Sequence, residues 1–137
     1  MNSTIPNSTA SKGVRILVVD DEEAIRDATR EYLSALGYEV DAAQEREEAE
    51  ALLTTATYSL VIADMRLTGV HGREGLELVG YLRERCPWAR VVVLTAYGSP
   101  DLEAEARRRG ADAFLQKPVP LAELARLAGL LVPGSAA

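Results

Sequence analysis

Five residues of this 137-residue chain have side chains that could act together: Asp20, Asp21, Asp64, Thr95 and Lys117. Each follows a short apolar run that reads as a β-strand. Asp20-Asp21 follow the first, Asp64 the third, Thr95 the fourth and Lys117 the fifth. In an open parallel sheet, ligands gather at the carboxyl ends of the strands, so these residues are expected to meet at one edge. Three carboxylates crowded together repel and should not all stay ionised without a counter-ion. A hard divalent cation relieves that repulsion, and a few oxygen ligands completed by water suit Mg²⁺ or Mn²⁺. Lys117 adds a compact, mobile positive charge that can hold a phosphoryl oxygen or a carboxylate. Thr95 can donate one hydrogen bond to an anion. A carboxylate beside such a cation and a lysine can attack phosphorus and form an acyl phosphate.

The elements that must position these groups alternate along the chain. Strands are predicted over Val14–Val19, Tyr38–Ala42, Leu60–Ala63, Arg90–Leu94 and Ala113–Leu115. Several are apolar almost throughout, as suits a parallel sheet covered on both faces. Helical spacing is predicted over Glu22–Leu36, Glu45–Ala56, Gly75–Arg85, Pro100–Arg109 and Leu121–Leu131. In the first helix, Ile25, Ala28, Tyr32, Leu33 and Leu36 are expected to form the apolar face, and Gly37 to close it as a C′ residue. Gly110 is expected to end the fourth helix in the same way. Five strands alternating with five helices make a (βα)5 chain, an α/β doubly wound parallel five-stranded sheet.

Composition removes other classes. With 47% apolar residues the chain is rich enough for one core, and its length suits one domain. No apolar run approaches the roughly 18 residues of a membrane span. The formal net charge of −6 gives no electrostatic reason to coat nucleic acid. Cys86 is the only cysteine and can form no internal disulfide. Residues 1–13 have neither the basic nor the apolar region of a signal peptide and read as a flexible N-terminal tail. Residues 133–137 read as a C-terminal tail, leaving 14–132 as the domain. A cytoplasmic location is expected.

Taken singly, each site residue has a plainer reading. Asp20 or Asp21 alone suits a helix N-cap, Asp64 a turn, Thr95 a sheet-edge hydroxyl, and Lys117 a surface lysine. Their joint placement at four strand ends argues against coincidence.

With these residues in view, residues 14 to 131 resemble the receiver domain of bacterial two-component response regulators. The motifs are Val18-Val19-Asp20-Asp21-Glu22, Val61-Ile62-Ala63-Asp64-Met65-Arg66-Leu67, Val93-Leu94-Thr95-Ala96-Tyr97-Gly98 and Gly110-Ala111-Asp112-Ala113-Phe114-Leu115-Gln116-Lys117-Pro118. The resemblance implies a flavodoxin-like sheet of order 2-1-3-4-5. It implies that Asp64 is the phospho-acceptor and that Asp20 and Asp21 are the acidic pair holding Mg²⁺. The backbone carbonyl of Arg66 would complete the protein ligands. Thr95 is the implied switch hydroxyl, Phe114 the switch aromatic and Lys117 the lysine that bonds the phosphoryl group. The bond from Lys117 to Pro118 is cis in the family.

The implied partner is a sensor histidine kinase or phosphotransfer protein, whose phosphohistidine donates to Asp64. Thr95 then moves to the new phosphoryl group and Phe114 turns inward. That repacks the surface of the fourth helix, fifth strand and fifth helix, which is also the surface of a family-type homodimer. The domain would catalyse its own phosphorylation and slow autodephosphorylation without turning over an external substrate. The competing reading is a binding-only relative of the same fold. A Mg²⁺-dependent phosphatase or nucleotide binder lacks support, because no Gly-rich phosphate loop follows the first strand.

The loop after Asp64 departs from the family pattern. Thr68 stands where a proline is common, and Gly69-Val70-His71-Gly72-Arg73-Glu74-Gly75 is about three residues longer than the usual form, a length that loops accept cheaply. His71, the only histidine, reads as a solvent-exposed loop residue. Arg66 and Tyr97, each two residues after a site residue, are expected to shield the acyl phosphate from water and slow its hydrolysis. Arg107-Arg108-Arg109 reads as a solvated face favoured at a helix C-terminus. Trp88 is expected at the sheet edge opposite Asp64. Tyr32, Tyr58 and Tyr81 read as core or boundary residues.

Overall fold

A computed structural model of the chain describes residues 14–64, 73–96 and 98–132, with residues 73 and 74 described through their backbone alone. The strands are β1 (Arg15–Val19), β2 (Glu39–Ala43), β3 (Leu60–Asp64), β4 (Arg90–Thr95) and β5 (Ala113–Gln116). The helices are α1 (Glu23–Ala35), α2 (Arg46–Thr55), α3 (Arg73–Arg85), α4 (Pro100–Arg109) and α5 (Leu121–Leu131). All strand pairings are parallel, in the order β2-β1-β3-β4-β5. The expected doubly wound (βα)5 sheet of order 2-1-3-4-5 is therefore present.

Alternation of side chains along each strand divides the core into two layers. Leu17, Val19, Val61, Ala63, Val91 and Val93 pack against α2, α3 and α4. Ile16, Val18, Leu60, Ile62, Val92 and Leu94 pack against α1 and α5. This is why β1, β3 and β4 are apolar at successive positions: each face of the sheet has its own helices to bury.

Gly37 and Gly110 both have positive φ, 105° and 121°, as expected for helix-ending glycines. The Lys117–Pro118 peptide is cis. Trp88 lies in the turn before β4 and is 57% exposed. Tyr58 is buried and Tyr81 lies at the boundary, whereas Tyr32 is exposed rather than core or boundary.

Two expectations need correction. The face of α1 that meets the core is built on Thr29 and Leu33, whereas Ile25, Tyr32 and Leu36 are exposed. Ile25 and Ala28 instead line an apolar groove of about 570 Å³ between α1 and α5. Two helices share this face of the sheet, so part of the apolar stripe of α1 turns towards its neighbour. The second correction concerns strand ends. Asp64 and Thr95 are the last residues of their strands, because Asp64 pairs with Leu94 and Thr95 with Gln116.

Candidate functional site

The strand register assembles the site. Val19 stands beside Ala63, and Ala63 beside Val93. One residue further along, Asp20 and Asp64 reach the same sheet edge. Thr95 pairs with Gln116, so Lys117 begins just beyond that edge. Parity then separates the side chains. Asp64 continues the Leu60, Ile62 series, on the α1 and α5 side. Thr95 continues the Val91, Val93 series, and Phe114 packs against that same layer. The expected acceptor and the expected switch pair therefore lie on opposite sides of the sheet edge.

Asp20, Asp64 and Thr95 are 2%, 5% and 1% exposed, although all are polar. Buried carboxylates are costly unless paired. Here the ammonium of Lys117 supplies the pairing: Nζ donates to Asp20 Oδ2 at 3.3 Å and lies 3.4 Å from Asp64 Oδ2. Glu22 Oε1 is 4.0 Å from the same nitrogen. Burial works to lower the Lys117 pKa, but the carboxylates of Asp20 and Asp64 outweigh it and hold the pKa above the ordinary lysine value. Lys117 is a half-buried ion-pair residue, not a free surface lysine.

Asp20 is held at every polar group. Its N–H donates to the Ala43 carbonyl at 3.0 Å. Oδ1 accepts from the Glu22 N–H at 2.9 Å, and Oδ2 from Lys117. Its carbonyl accepts from Arg26 Nη1 at 3.0 Å. Neither aspartate is the N-cap of α1, which is Glu22 and makes no side-chain cap bond. Asp21 is exposed, and among the described residues its carboxylate takes part in no hydrogen bond.

One carboxylate oxygen from each of Asp20, Asp21 and Asp64 can be chosen so that all lie within 4.8 Å of one another. Among the described residues, three hard oxygen donors face one ammonium, that of Lys117, which leaves an excess of negative charge. That donor set fits a hard divalent cation. Arg66, Thr68, His71 and Tyr97 lie outside the described residues, as does most of the long loop after Asp64.

Arg107, Arg108 and Arg109 pair with Glu103 and Glu105 on their own helix, as a solvated face would. The sequence reading did not single out Arg26 or Glu22. Spacing could have found Arg26: four residues after the helix N-cap, its side chain points back over the loop that carries Asp20 and Asp21.

The α/β fold and the acidic edge define a class, and comparison with known proteins agrees. The chain belongs to the response regulator receiver domain family, whose model matches residues 16–128. It is 39% identical over 112 residues to the alginate biosynthesis transcriptional regulatory protein AlgB of Pseudomonas aeruginosa, spanning 81% of this chain and 24% of that protein. It is also 39% identical over 119 residues to the response regulator MprA of Mycolicibacterium vanbaalenii, spanning 86% of this chain and 50% of that one. The chain thus matches a quarter to a half of the length of these relatives. Among solved structures, a response regulator from Burkholderia pseudomallei with a phosphorylated aspartic acid, a calcium ion and citrate superimposes with a TM-score of 0.77 at 31% identity, covering 89% of this chain and 69% of that one. A CheY-like receiver domain protein from Methanospirillum hungatei gives a TM-score of 0.80 at 31% identity, covering 88% and 95%.

Proposed function

We propose that this receiver domain accepts a phosphoryl group on Asp64 from a phosphohistidine of a sensor histidine kinase or phosphotransfer protein, in a Mg²⁺-dependent step. The observation that carries the reading is the position of Asp64: a buried carboxylate at a strand end, 3.4 Å from the Lys117 ammonium and within 4.8 Å of the Asp20 and Asp21 oxygens. The phosphorylated aspartate of the Burkholderia relative supports it.

In the reaction, an Asp64 carboxylate oxygen forms the new O–P bond. The P–N bond breaks and its electron pair stays on the imidazole nitrogen. Asp20, Asp21, Asp64 and the Arg66 carbonyl would hold Mg²⁺ or Mn²⁺, which supplies charge neutralisation at the phosphoryl oxygens. Lys117 leaves its carboxylate partners to bond a phosphoryl oxygen, and Thr95 donates its hydroxyl to another. The added negative charge biases a two-state surface, with Phe114 following Thr95. The altered surface is that of α4, β5 and α5, where a homodimer would form. The acyl phosphate is hydrolysed slowly, with no external substrate turned over.

This activity is assigned to residues 14–132, in a bacterial cytoplasmic setting. The segment itself would contact neither nucleic acid nor membrane. Among the described residues no helix is long and apolar enough to cross a bilayer.

Intact mass spectrometry after incubation with acetyl phosphate tests the proposal. One added phosphoryl group is expected in wild type with Mg²⁺, and none without Mg²⁺ or in Asp64→Ala. No adduct in wild type, where another receiver is labelled under the same conditions, would leave the binding-only reading in its place.

A further inference from the structure

Asp21 presents a puzzle of positioning. Of the three clustered carboxylates it is the exposed one, and its side chain has no hydrogen-bond partner among the described residues. Its location is therefore set by the backbone that carries it. The peptide unit entering Asp21 has as its carbonyl that of Asp20. This is the carbonyl that takes the Arg26 guanidinium, at 3.0 Å. The other end of Asp20 is pinned by its N–H to Ala43. Glu22 supplies no side-chain cap to the turn into α1, which is closed on its other side by the Glu22 N–H donating to Asp20 Oδ1 at 2.9 Å; Arg26 holds the peptide carbonyl that this bond leaves free. Arg26 is itself fixed in the first turn of α1, where its N–H donates to the Glu22 carbonyl at 2.9 Å.

We infer that Arg26 is a positioning residue for the cation site: its guanidinium locks the Asp20–Asp21 peptide and so aims the Asp21 carboxylate into the acidic cluster. The inference rests on the cation reading above. It also opposes what simple charge counting suggests. A guanidinium beside a cation site repels the incoming ion, so if charge alone mattered, removing Arg26 would tighten binding. If the hydrogen bond to the Asp20 carbonyl matters more, removing it loosens the loop and weakens binding. Hydrogen bonds that orient metal ligands from behind act in this second way, with losses of about 10- to 100-fold when they are removed. Arg26 is half-buried and acts through one carbonyl, which places it at the lower end of that range.

The two effects differ in sign, so one titration separates them. Mn²⁺ is titrated into the whole chain at constant ionic strength, with the unbound ion followed by electron paramagnetic resonance. Wild type, Arg26→Ala and Arg26→Lys are compared, and the melting midpoint of each is recorded without cation. The Kd is expected to rise about tenfold in R26A. In R26K, which keeps a donor and the charge, most of the affinity should return. The cation-free midpoints should stay within a few degrees of one another. An R26A Kd equal to or tighter than that of wild type, with wild type binding normally, overturns the role of Arg26 and leaves the cation site standing. Collapsed midpoints in both variants would make Arg26 a folding residue and also overturn it. No Mn²⁺ binding by wild type would remove the cation reading itself, and the inference with it.

Discussion

The backbone N–H of Lys117 donates to the carbonyl of Thr95 at 2.7 Å. The residue that pairs with the acidic cluster and the residue proposed as the switch hydroxyl are thus joined through main chain, one hydrogen bond beyond the β4–β5 ladder. A rearrangement at Lys117 that displaces its backbone is transmitted to Thr95 without any side-chain intermediary. The two chemical groups approach the Asp64 edge from opposite faces, yet they share one short piece of sheet.

The first prediction concerns stability and the divalent cation. Three clustered carboxylates against one ammonium should destabilise the cation-free protein, so a bound cation should raise its melting midpoint. At a cation concentration 100-fold above Kd the stabilisation is about 2.7 kcal/mol. For a domain of this size that corresponds to a shift of roughly 10 °C. The shift should vanish on chelation and shrink strongly in Asp21→Asn and Asp64→Asn. Thermal melts with Mg²⁺ and with excess chelator read it directly. An equal shift in wild type and both variants would place the cation elsewhere.

A second prediction joins Gly98 to the proposed switch. A Cβ at Gly98 would lie 3.1 Å from Phe114 Cε1 and 3.1 Å from Thr95 Cγ2. Gly98 therefore occupies the space between the two residues that are proposed to move together. In Gly98→Ala the added methyl should press on both, displacing the Phe114 ring at a cost of about 1–2 kcal/mol. Phe114 is the only phenylalanine in the chain, so fluorophenylalanine labelling gives a single ¹⁹F resonance. That resonance should shift in G98A, and its response to acetyl phosphate with Mg²⁺ should be smaller than in wild type. Superimposable spectra for the two proteins, before and after labelling, would separate Gly98 from the switch.

A third prediction lies at the other end of the strands. The buried Tyr58 hydroxyl donates to Asp41 Oδ2 at 2.6 Å, and Arg15 Nη1 lies 3.5 Å from the same oxygen. Burial and then the Asp41 carboxylate push the phenol pKa well above its usual value. Tyr58→Phe should cost about 1–3 kcal/mol at neutral pH, as for a hydrogen bond to a charged acceptor. The folded pKa is raised, so the stability held by the neutral phenol is fully present below the unfolded value of about 10. It is lost as the pH climbs from there towards the folded pKa. The gap between wild type and Y58F should therefore narrow above about pH 10. Denaturant unfolding at neutral and alkaline pH measures that gap, and a constant gap would dissociate Tyr58 from the alkaline loss.

Much of the fold was legible because both levels of pattern agree. Runs of strand length begin just after Gly37 and Gly110 end the preceding helices, so the βα alternation could be read directly. The site residues were legible because parallel strands deliver their carboxyl ends to one edge. Two things were hidden. Of the apolar face that spacing gives α1, Leu33 is buried, but α1 and α5 share one side of the sheet, and the pattern of α1 alone cannot reveal that Ile25 turns into the groove between them. For Arg26, spacing places the side chain over the loop, but its role runs through a backbone carbonyl that only the folded loop brings within its reach.

The last prediction tests a packing contact on the far side of the sheet from Asp64. Gly110 ends α4 with φ 121°, and its N–H donates to the carbonyls of Ala106 and Arg107 at 3.1 and 3.0 Å. A Cβ there would overlap Cγ and Cδ of Arg83. Arg83 belongs to α3, and its guanidinium donates to the carbonyls of Pro87 and Ala89 and lies 4.0 Å from Asp112 Oδ2. Asp112 in turn accepts the Val91 N–H at 2.8 Å. Gly110→Ala therefore carries two separate penalties. The backbone strain is about 1–3 kcal/mol. Displacing Arg83 from the carbonyls it serves adds a further cost of about 1–3 kcal/mol. In an Arg83→Ala background the obstacle is gone, so only the strain should remain. The double variant should accordingly be more stable than the sum of the single effects allows, by about 1–2 kcal/mol. Denaturant unfolding of the four proteins gives the coupling. Strict additivity would mean that Arg83 moves aside freely and that Gly110 is needed for its backbone conformation alone.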